Sequence, residues 1–355
     1  MKYNCDVVVL SFNRMDVTRQ FVDSFLANTE YPCRLIMIDN GSGDGTKEYL
    51  CTLQSTDNCI IKVVLNRENR GFIRGMNQGI ELSHAPYVCL ANNDLIFTKG
   101  WLSEAISVLQ KNSRIGLLNP NSNNLGLQPR SQANLETLAQ DLRSNHRGEF
   151  VEMPFCIGFC MVTKREVIDK VAGYSEEFYP MFFEDTDYSM KVKEAGYLTG
   201  VAKSSYVYHL EHASMKQIGS RKESIFKESK EKCDKKWGKI LRIAWIADGY
   251  KEVSSLLPEA VELARRGNYV WVFVRGRNLD RSRVFKEGGL FEHSGVNFVV
   301  FHTIFDLLWK ILKKKKRYDV VIGASELTRC IFSRLGYNVL EKVDFAEINR
   351  IKKVV

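Results

Sequence analysis

The chain has 355 residues, 45% hydrophobic and 26% charged. That is enough apolar material for one large or two ordinary domains and too much for a disordered chain. Its longest apolar runs, such as CDVVVLSF and VNFVVF, fall far short of the ~20 residues that span a bilayer. The net charge of +9 is uneven: residues 1–215 carry −4, residues 216–240 carry +5 and residues 241–355 carry +8, with KKKKR at 313–317 the densest point. A basic tail of this kind fits nucleic acid, an anionic membrane surface or a solvated helix end. The start MKYNCDVVVL has no signal-peptide pattern, and nine scattered cysteines read as reduced thiols, so a cytoplasmic protein is expected. Cys156 and Cys160 have no second cysteine pair after them, which argues against a zinc site.

In chain order, CDVVVLSF (5–12) reads as a buried strand, and MDVTRQFVDSFLAN (15–28) as a helix with Val17, Phe21 and Phe25 on one face. CRLIMIDN (33–40) is a second strand, GSGDGT a turn, and TKEYLCTL the start of a helix. IIKVVLN (60–66) is a third strand, GFIRGMNQGIELS (71–83) a helix and YVCLANND (87–94) a fourth strand. This alternation predicts a parallel sheet with helices on both faces and ligands at the carboxyl ends of its strands. Those ends are SFNR, DNGSGD, LNREN and ANND, all rich in groups that bond nucleotides or metals.

Residues 112–150 are turn-rich, with NPNSNNLGLQPRS as loop chemistry. FCIGFCMVTKREVIDKVAGY (155–174) reads as a strand running into a helix, and residues 215–240 as a polar, exposed helix. From LRIAWIAD (241–248) the strand–helix rhythm restarts and continues to YNVL, predicting a second parallel α/β unit. Within it, IFDLLWKILKKKK has the pattern of a membrane-surface helix, but its place between two strand-like runs favours a packed helix.

Four motifs carry chemistry. In IMIDNGSGDGT, Asp39 at a strand end can accept a bond from a base imide or ribose hydroxyl; a capped turn explains the same residues. In ANNDLIF, Asp94 can serve a hard divalent cation whose other positions are filled by phosphate and water. In FFEDTDYSMKVKEAGY, burial beside Phe182, Phe183 and Tyr188 would raise a carboxyl pKa toward that of a general base, while a helix N-terminus favours the anion. Spacing alone favours a capping cluster for those three acids. In VYHLEHAS, His209 closes an apolar strand and His212 follows; a neutral imidazole there ligates a metal or is simply hydrogen-bonded.

Taken in order, VVVLSFNR, LIMIDNGSGDGT, NRENRGFIRGMNQGI, YVCLANNDLIF, IGFCMVTKREVIDKVAGY, FFEDTDYSMKVKEAGY and the VYH after them resemble an inverting family 2 glycosyltransferase over roughly residues 4–215. Within that family the likeness is to bacterial rhamnosyltransferase-like enzymes of surface polysaccharide synthesis. The resemblance implies a GT-A nucleotide-diphospho-sugar transferase fold with a Rossmann-like mixed sheet over 1–215. Its nucleotide-binding half would be about 1–100 and its acceptor half about 101–215. It implies that Ser11, Asn13 and Arg14 line the nucleotide pocket, that Asp39 holds the base, and that Gly71 and Arg74 lie near the diphosphate. Asn92, Asn93 and Asp94 take the place of the Asp-x-Asp metal motif, with Asp94 the metal-side acid and His209 completing the site for Mn2+ or Mg2+. Asp185 would be the catalytic base, with Glu184 and Phe183 on the acceptor. This chain departs from many relatives in having Asn92 for Asp, which removes one negative charge from the metal motif.

The expected donor is a UDP- or dTDP-sugar, and the expected acceptor a saccharide or lipid-linked saccharide. A basic helical linker over 216–240 would follow, and the basic tail would bring the protein to the inner face of an anionic membrane. Nucleic-acid binding is not expected, because the polar strand ends lie in the acidic part of the chain. Residues 241–355 resemble the amino-terminal half of a GT-B transferase of the family 4 type, an incomplete Rossmann-like domain without transfer activity of its own. Two readings of it stay open: a fragment of a longer two-enzyme polypeptide, or a relic domain kept for docking. Two other functions also stay open: a non-catalytic scaffold that binds sugar nucleotides or carbohydrate, and a nucleotidyltransferase, although SFNRMD lacks the latter's glycine-rich phosphate loop.

Overall fold

The computed structural model describes residues 3–129, 134–210, 221–276, 279–323 and 325–354. The chain divides into two compact units, Met1–Phe150 with Phe155–Lys232, and Val151–Pro154 with Cys233–Val355. The division at residue 232 falls inside a helix, within the 216–240 stretch expected from the sequence as a helical linker.

The first unit begins with β1 (Cys5–Ser11), α1 (Met15–Asn28), β2 (Cys33–Asp39), α2 (Thr46–Cys51), β3 (Cys59–Leu65), α3 (Phe72–Leu82) and β4 (Tyr87–Asn92), all within a residue or two of expectation. It continues with β5 (Leu95–Phe97), α4 (Trp101–Lys111), β6 (Ile115–Asn121) and α5 (Leu135–His146); β7 (Phe150–Glu152) spans the division, with only Phe150 in the first unit. Then come β8 (Cys160–Lys164), α6 (Arg165–Val171), α7 (Glu184–Glu194), β9 (Leu198–His209) and α8 (Lys222–Trp237). The sheet order is β3-β2-β1-β4-β8-β6-β9-β5. β1, β2, β3 and β4 pair in parallel, whereas β8 runs antiparallel to β4 and β6, so the sheet is mixed.

β1 is a central strand buried on both faces, which is why it reads as an unbroken apolar run. Its one buried charge, Asp6, is met by Arg34 at 2.7 Å and by the His84 and Ala85 amides. The expected stripe of α1 is buried, with Phe21 and Phe25 packed edge-on against Phe97 at 5.0 and 5.2 Å. α3 lies close on the sheet through glycine: a Cβ at Gly79 would stand 2.1 Å from Val8, and one at Gly75 2.5 Å from Leu10.

The turn-rich stretch departs from expectation. NPN belongs to β6, an interior strand paired with β8 and β9 and carrying the buried Leu117 and Leu118. Asn119 is tolerated there because its amide bonds the backbone of Ile157 and Cys160. Apolar burial on both sides of the sheet thus outweighs local turn propensity.

The second unit comprises β10 (Arg242–Ala247), α9 (Tyr250–Arg265), β11 (Tyr269–Arg275), α10 (Arg281–Glu287), β12 (Val296–Phe301) and α11 (Ile304–Leu312). It ends with β13 (Val320–Ile322), α12 (Glu326–Arg334), β14 (Asn338–Leu340) and α13 (Phe345–Val354). All five strands pair in parallel, in the order β12-β11-β10-β13-β14. α9 runs through Pro258, since a seven-residue apolar stripe from Val253 to Ala264 is buried; that burial outweighs the lost backbone bond. α10 and α13 escape the sequence reading; α13 buries two apolar side chains among the described residues, Ile348 and Ile351. No described helix is long and apolar enough to cross a membrane.

Candidate functional site

Parallel register levels the carboxyl ends of the first strands. Ser11 of β1 stands opposite Asp39 of β2, and Leu10 stands opposite Asn92 of β4. A cavity of about 360 Å³ opens there, with Phe12, Arg14, Asn40, Gly71, Asn92 and Asn93 among its walls. Asn40 organises one side: its amide bonds Asn69 at 2.9 Å and accepts from Asn66 and from the Arg70 N–H. Gly71 has φ +78°, and a Cβ there would stand 2.5 Å from the Tyr179 ring, so glycine is needed twice over. Asp39 is buried; Oδ2 accepts from the amides of Gly41 and Ser42, and Oδ1 has no partner among the described residues. A buried acceptor left open is suited to a donor from a ligand.

A second cavity, about 450 Å³, shares Phe72, Asn92 and Met181 with the first. Asp94, Asn124, Gly158, Glu184, Asp185 and His209 are on its walls. Antiparallel pairing of β5 with β9 sets Leu95 opposite His209, and this brings His209 Nε2 to 2.9 Å from Asp94 Oδ1. The histidine is held from three sides. Asn123 bonds its backbone N–H and C=O, Asn124 lies 2.6 Å from Nδ1, and Phe159 stacks on the ring. Such outer partners fix the orientation of an imidazole. Among the described residues no group of three or more His, Cys, Asp and Glu could hold a metal. The donor set is one carboxylate and one imidazole, which fits a hard cation whose remaining positions come from a diphosphate and water.

The opposite wall is the start of α7. Phe182 and Phe183 have left-handed backbones, φ +75° and +66°, and Phe183 is the residue that caps the helix. Strain of this kind in non-glycine residues persists where surrounding structure enforces it. Asp185 Oδ2 accepts from the Gly158 N–H at 2.9 Å and Oδ1 from the Thr186 N–H at 2.7 Å. Both carboxyls keep some surface open to the cavity, yet protein crowds them enough for desolvation to dominate. Burial, with the neighbouring Asp185 charge second, pushes Glu184 up to about 8. Burial also raises Asp185, against the pull of its amide donors. Glu184 Oε2 is buried without a partner among the described residues. In this pair the proton belongs on Glu184 and the negative charge on Asp185, which the two amides stabilise. The third acid, Asp187, is buried and accepts from Ser175 Oγ at 2.6 Å, a structural role.

Other expected residues are placed as follows. Ser11 and Asn93 are buried and share Thr18 as a hydrogen-bond partner. Asn13 binds the GSGDGT turn through Ser42 and Gly43. Arg14 lines the first cavity while paired with Asp16. Arg74 pairs with Glu176 and covers the ring of Tyr179, a wall residue of the first cavity, without lining the cavity itself. Phe183 packs on Phe226 at 5.2 Å. His212 and residues 216–220 lie outside the described residues.

Sequence reasoning missed Asn40, Asn119, Asn123, Asn124 and the Tyr179–Met181 wall. It also read α8 as exposed, whereas Lys222 and Ile225 line the cavities and Ser229 bonds the Met181 carbonyl. The only available signal was the density of asparagine in LNREN and NPNSNNL.

Residues 6–172 match the family model described as glycosyl transferase family 2, just under half of the chain. An uncharacterised protein of Sinorhizobium fredii is 26% identical over 233 residues, 59% of this chain and 24% of that protein. An uncharacterised glycosyltransferase of Haemophilus influenzae is 28% identical over 115 residues, 32% of this chain and 35% of that one. The chain therefore spans about a third or less of the length of these curated relatives. Among solved structures, a mannosyltransferase of Pyrobaculum calidifontis in complex with GDP-Man and Mn2+ aligns at 16% identity and TM-score 0.49, covering 66% of this chain and 64% of that one.

Proposed function

We propose, from the family 2 glycosyl transferase match over residues 6–172, that the first unit is an inverting glycosyltransferase. It would move a sugar from a UDP- or dTDP-sugar to a hydroxyl of a saccharide or lipid-linked saccharide, in surface polysaccharide synthesis. The observation that carries this reading is the pair of adjoining cavities. One lies at the level strand ends, with Asn40, the residue after Asp39, on its wall, and the other has Asp94, His209 and Asp185 on its walls.

The nucleoside would occupy the first cavity, with Asp39 accepting from the base or ribose. The sugar and acceptor would meet in the second. Asp185 takes the proton of the attacking hydroxyl, the acceptor oxygen bonds the anomeric carbon, and the bond to the nucleoside diphosphate breaks with its electron pair on the leaving oxygen. The anomeric carbon passes through an oxocarbenium-like state, and the single displacement inverts it. Glu184, protonated, donates to an acceptor oxygen; the apolar face for the sugar comes from Phe182, which lines the second cavity, in place of the expected Phe183, which is not among the described walls. Asp94 and His209 would hold Mn2+ or Mg2+, which when bound neutralises charge on the departing diphosphate. The nine free cysteines fit a reducing, cytoplasmic setting. The second unit we read as the amino-terminal half of a GT-B-like transferase, Rossmann-like and without transfer activity, on the strength of its strand order.

A panel of sugar nucleotides, with and without Mn2+ or Mg2+ and with saccharide acceptors, tests the reading by nucleoside diphosphate release and thermal stabilisation. Cation-dependent release from one donor is expected. Stabilisation without release would favour a non-catalytic binding module, and no response to any donor would overturn the assignment.

A further inference from the structure

α11 packs one face and leaves the other bare. Leu307 and Ile311 are buried in a core with Phe273, Phe301 and Phe332. Phe305, Trp309 and Leu312 are exposed by 80%, 59% and 50%. Their spacing of four and three residues sets them along one side of the helix. Thr303 caps its start by accepting from the Asp306 N–H, so the stripe is presented by an ordered element. Directly after it come Lys313–Lys316 and Arg317, all exposed. Residues 302–317 hold six Lys and Arg against one acid, Asp306, and that acid is already paired with Lys310 at 2.9 Å. Lys313 lies 3.4 Å over the Trp309 ring, so cation and aromatic form one surface.

We propose that this face of α11 docks the protein on an anionic phospholipid bilayer. Phe305, Trp309 and Leu312 enter the boundary between headgroups and acyl chains, and the Lys313–Arg317 run lies over the anionic headgroups. Charge complementarity selects the bilayer among possible occupants. A second copy seated on the same face would set two such cation runs against each other, whereas an anionic surface offers charge along the whole run. Tryptophan is suited to the interface, with an apolar body and a polar N–H. At nine residues the helix can lie on a membrane but not cross it. The proposal does not depend on the transfer reaction.

The test is flotation of the full chain with phosphatidylcholine vesicles, with and without about 30% phosphatidylserine. Binding is expected only with the anionic lipid, and is expected to weaken as salt screens it. F305S/W309S/L312S and K313Q/K314Q/K315Q/K316Q should each lower the bound fraction about tenfold or more, with an unchanged thermal melt. The lysine variant alters only exposed side chains, so it decides the question even if the apolar variant folds poorly. Equal binding to neutral vesicles, or wild-type flotation by the lysine variant, would overturn the proposal. So would concentration-dependent dimers that the serine variant abolishes, since that result assigns the face to a second copy. No sugar donor is used, so the result stands apart from the fate of the transferase reading.

Discussion

The start of α7 and the length of α11 have the same texture in sequence, aromatic residues set against charge, and the fold uses them in opposite ways. At FFEDTDY the chain turns inward: left-handed Phe182 and Phe183 aim Glu184 and Asp185 at a cavity, where burial lifts both carboxyls. At IFDLLWKILKKKKR the chain stays on the surface, so Phe305 and Trp309 are bare and the lysines keep their water. Charge beside aromatic rings therefore has no fixed meaning. In a crowded site it shifts proton affinity, and on an open helix it makes an amphipathic face.

The sharpest break of this comparison is Asp185→Asn. Transfer should fall about 10²–10⁴-fold, read as nucleoside diphosphate release, because a general base is lost. Full activity would remove Asp185 from that role. Next in size is Leu307→Ala on the packed side of α11, expected to cost about 2–5 kcal/mol in a denaturant titration through the cavity it leaves. Asn124→Ala should raise the Mn2+ concentration needed for half-maximal release about 10–100-fold, since His209 loses an orienting partner. An unchanged cation requirement would show that Asn123 and Phe159 suffice to hold the ring.

Glu184→Gln sharpens the buried side through pH. The folded Glu184 carboxyl titrates at about 8 against an ordinary 4.5. The native state therefore holds a proton that the unfolded chain releases, and wild-type stability falls as pH rises between those values. The variant should match the wild type at acid pH and melt progressively higher than it toward pH 8; parallel melting curves would contradict the shift. The smallest effect belongs to the exposed side. Phe305→Ser should move stability by no more than about 0.5 kcal/mol in a thermal melt, because the ring has little packing to lose.

Much of the first unit was legible because its period was local. The apolar run of β1 and the Val17, Phe21 and Phe25 stripe of α1 sit where spacing put them, as do the polar strand ends. β6 was illegible because NPN carries turn chemistry and only sheet burial overrides it. The asparagines that hold the site were hidden for the same reason: an amide in a turn and an amide clamping a histidine are identical in sequence.

By itself, then, the sequence determined two α/β units, the order of the motifs and the presence of acids beside aromatic rings, since hydrophobic periodicity and turn chemistry act over a few residues. Only the tertiary structure decided that Asp94 meets His209 across 115 residues, that the Gly158 amide reaches Asp185, and that one face of α11 stays bare. Those outcomes rest on sheet register and on which surfaces find a partner, and both are properties of the packed chain rather than of any short stretch of it.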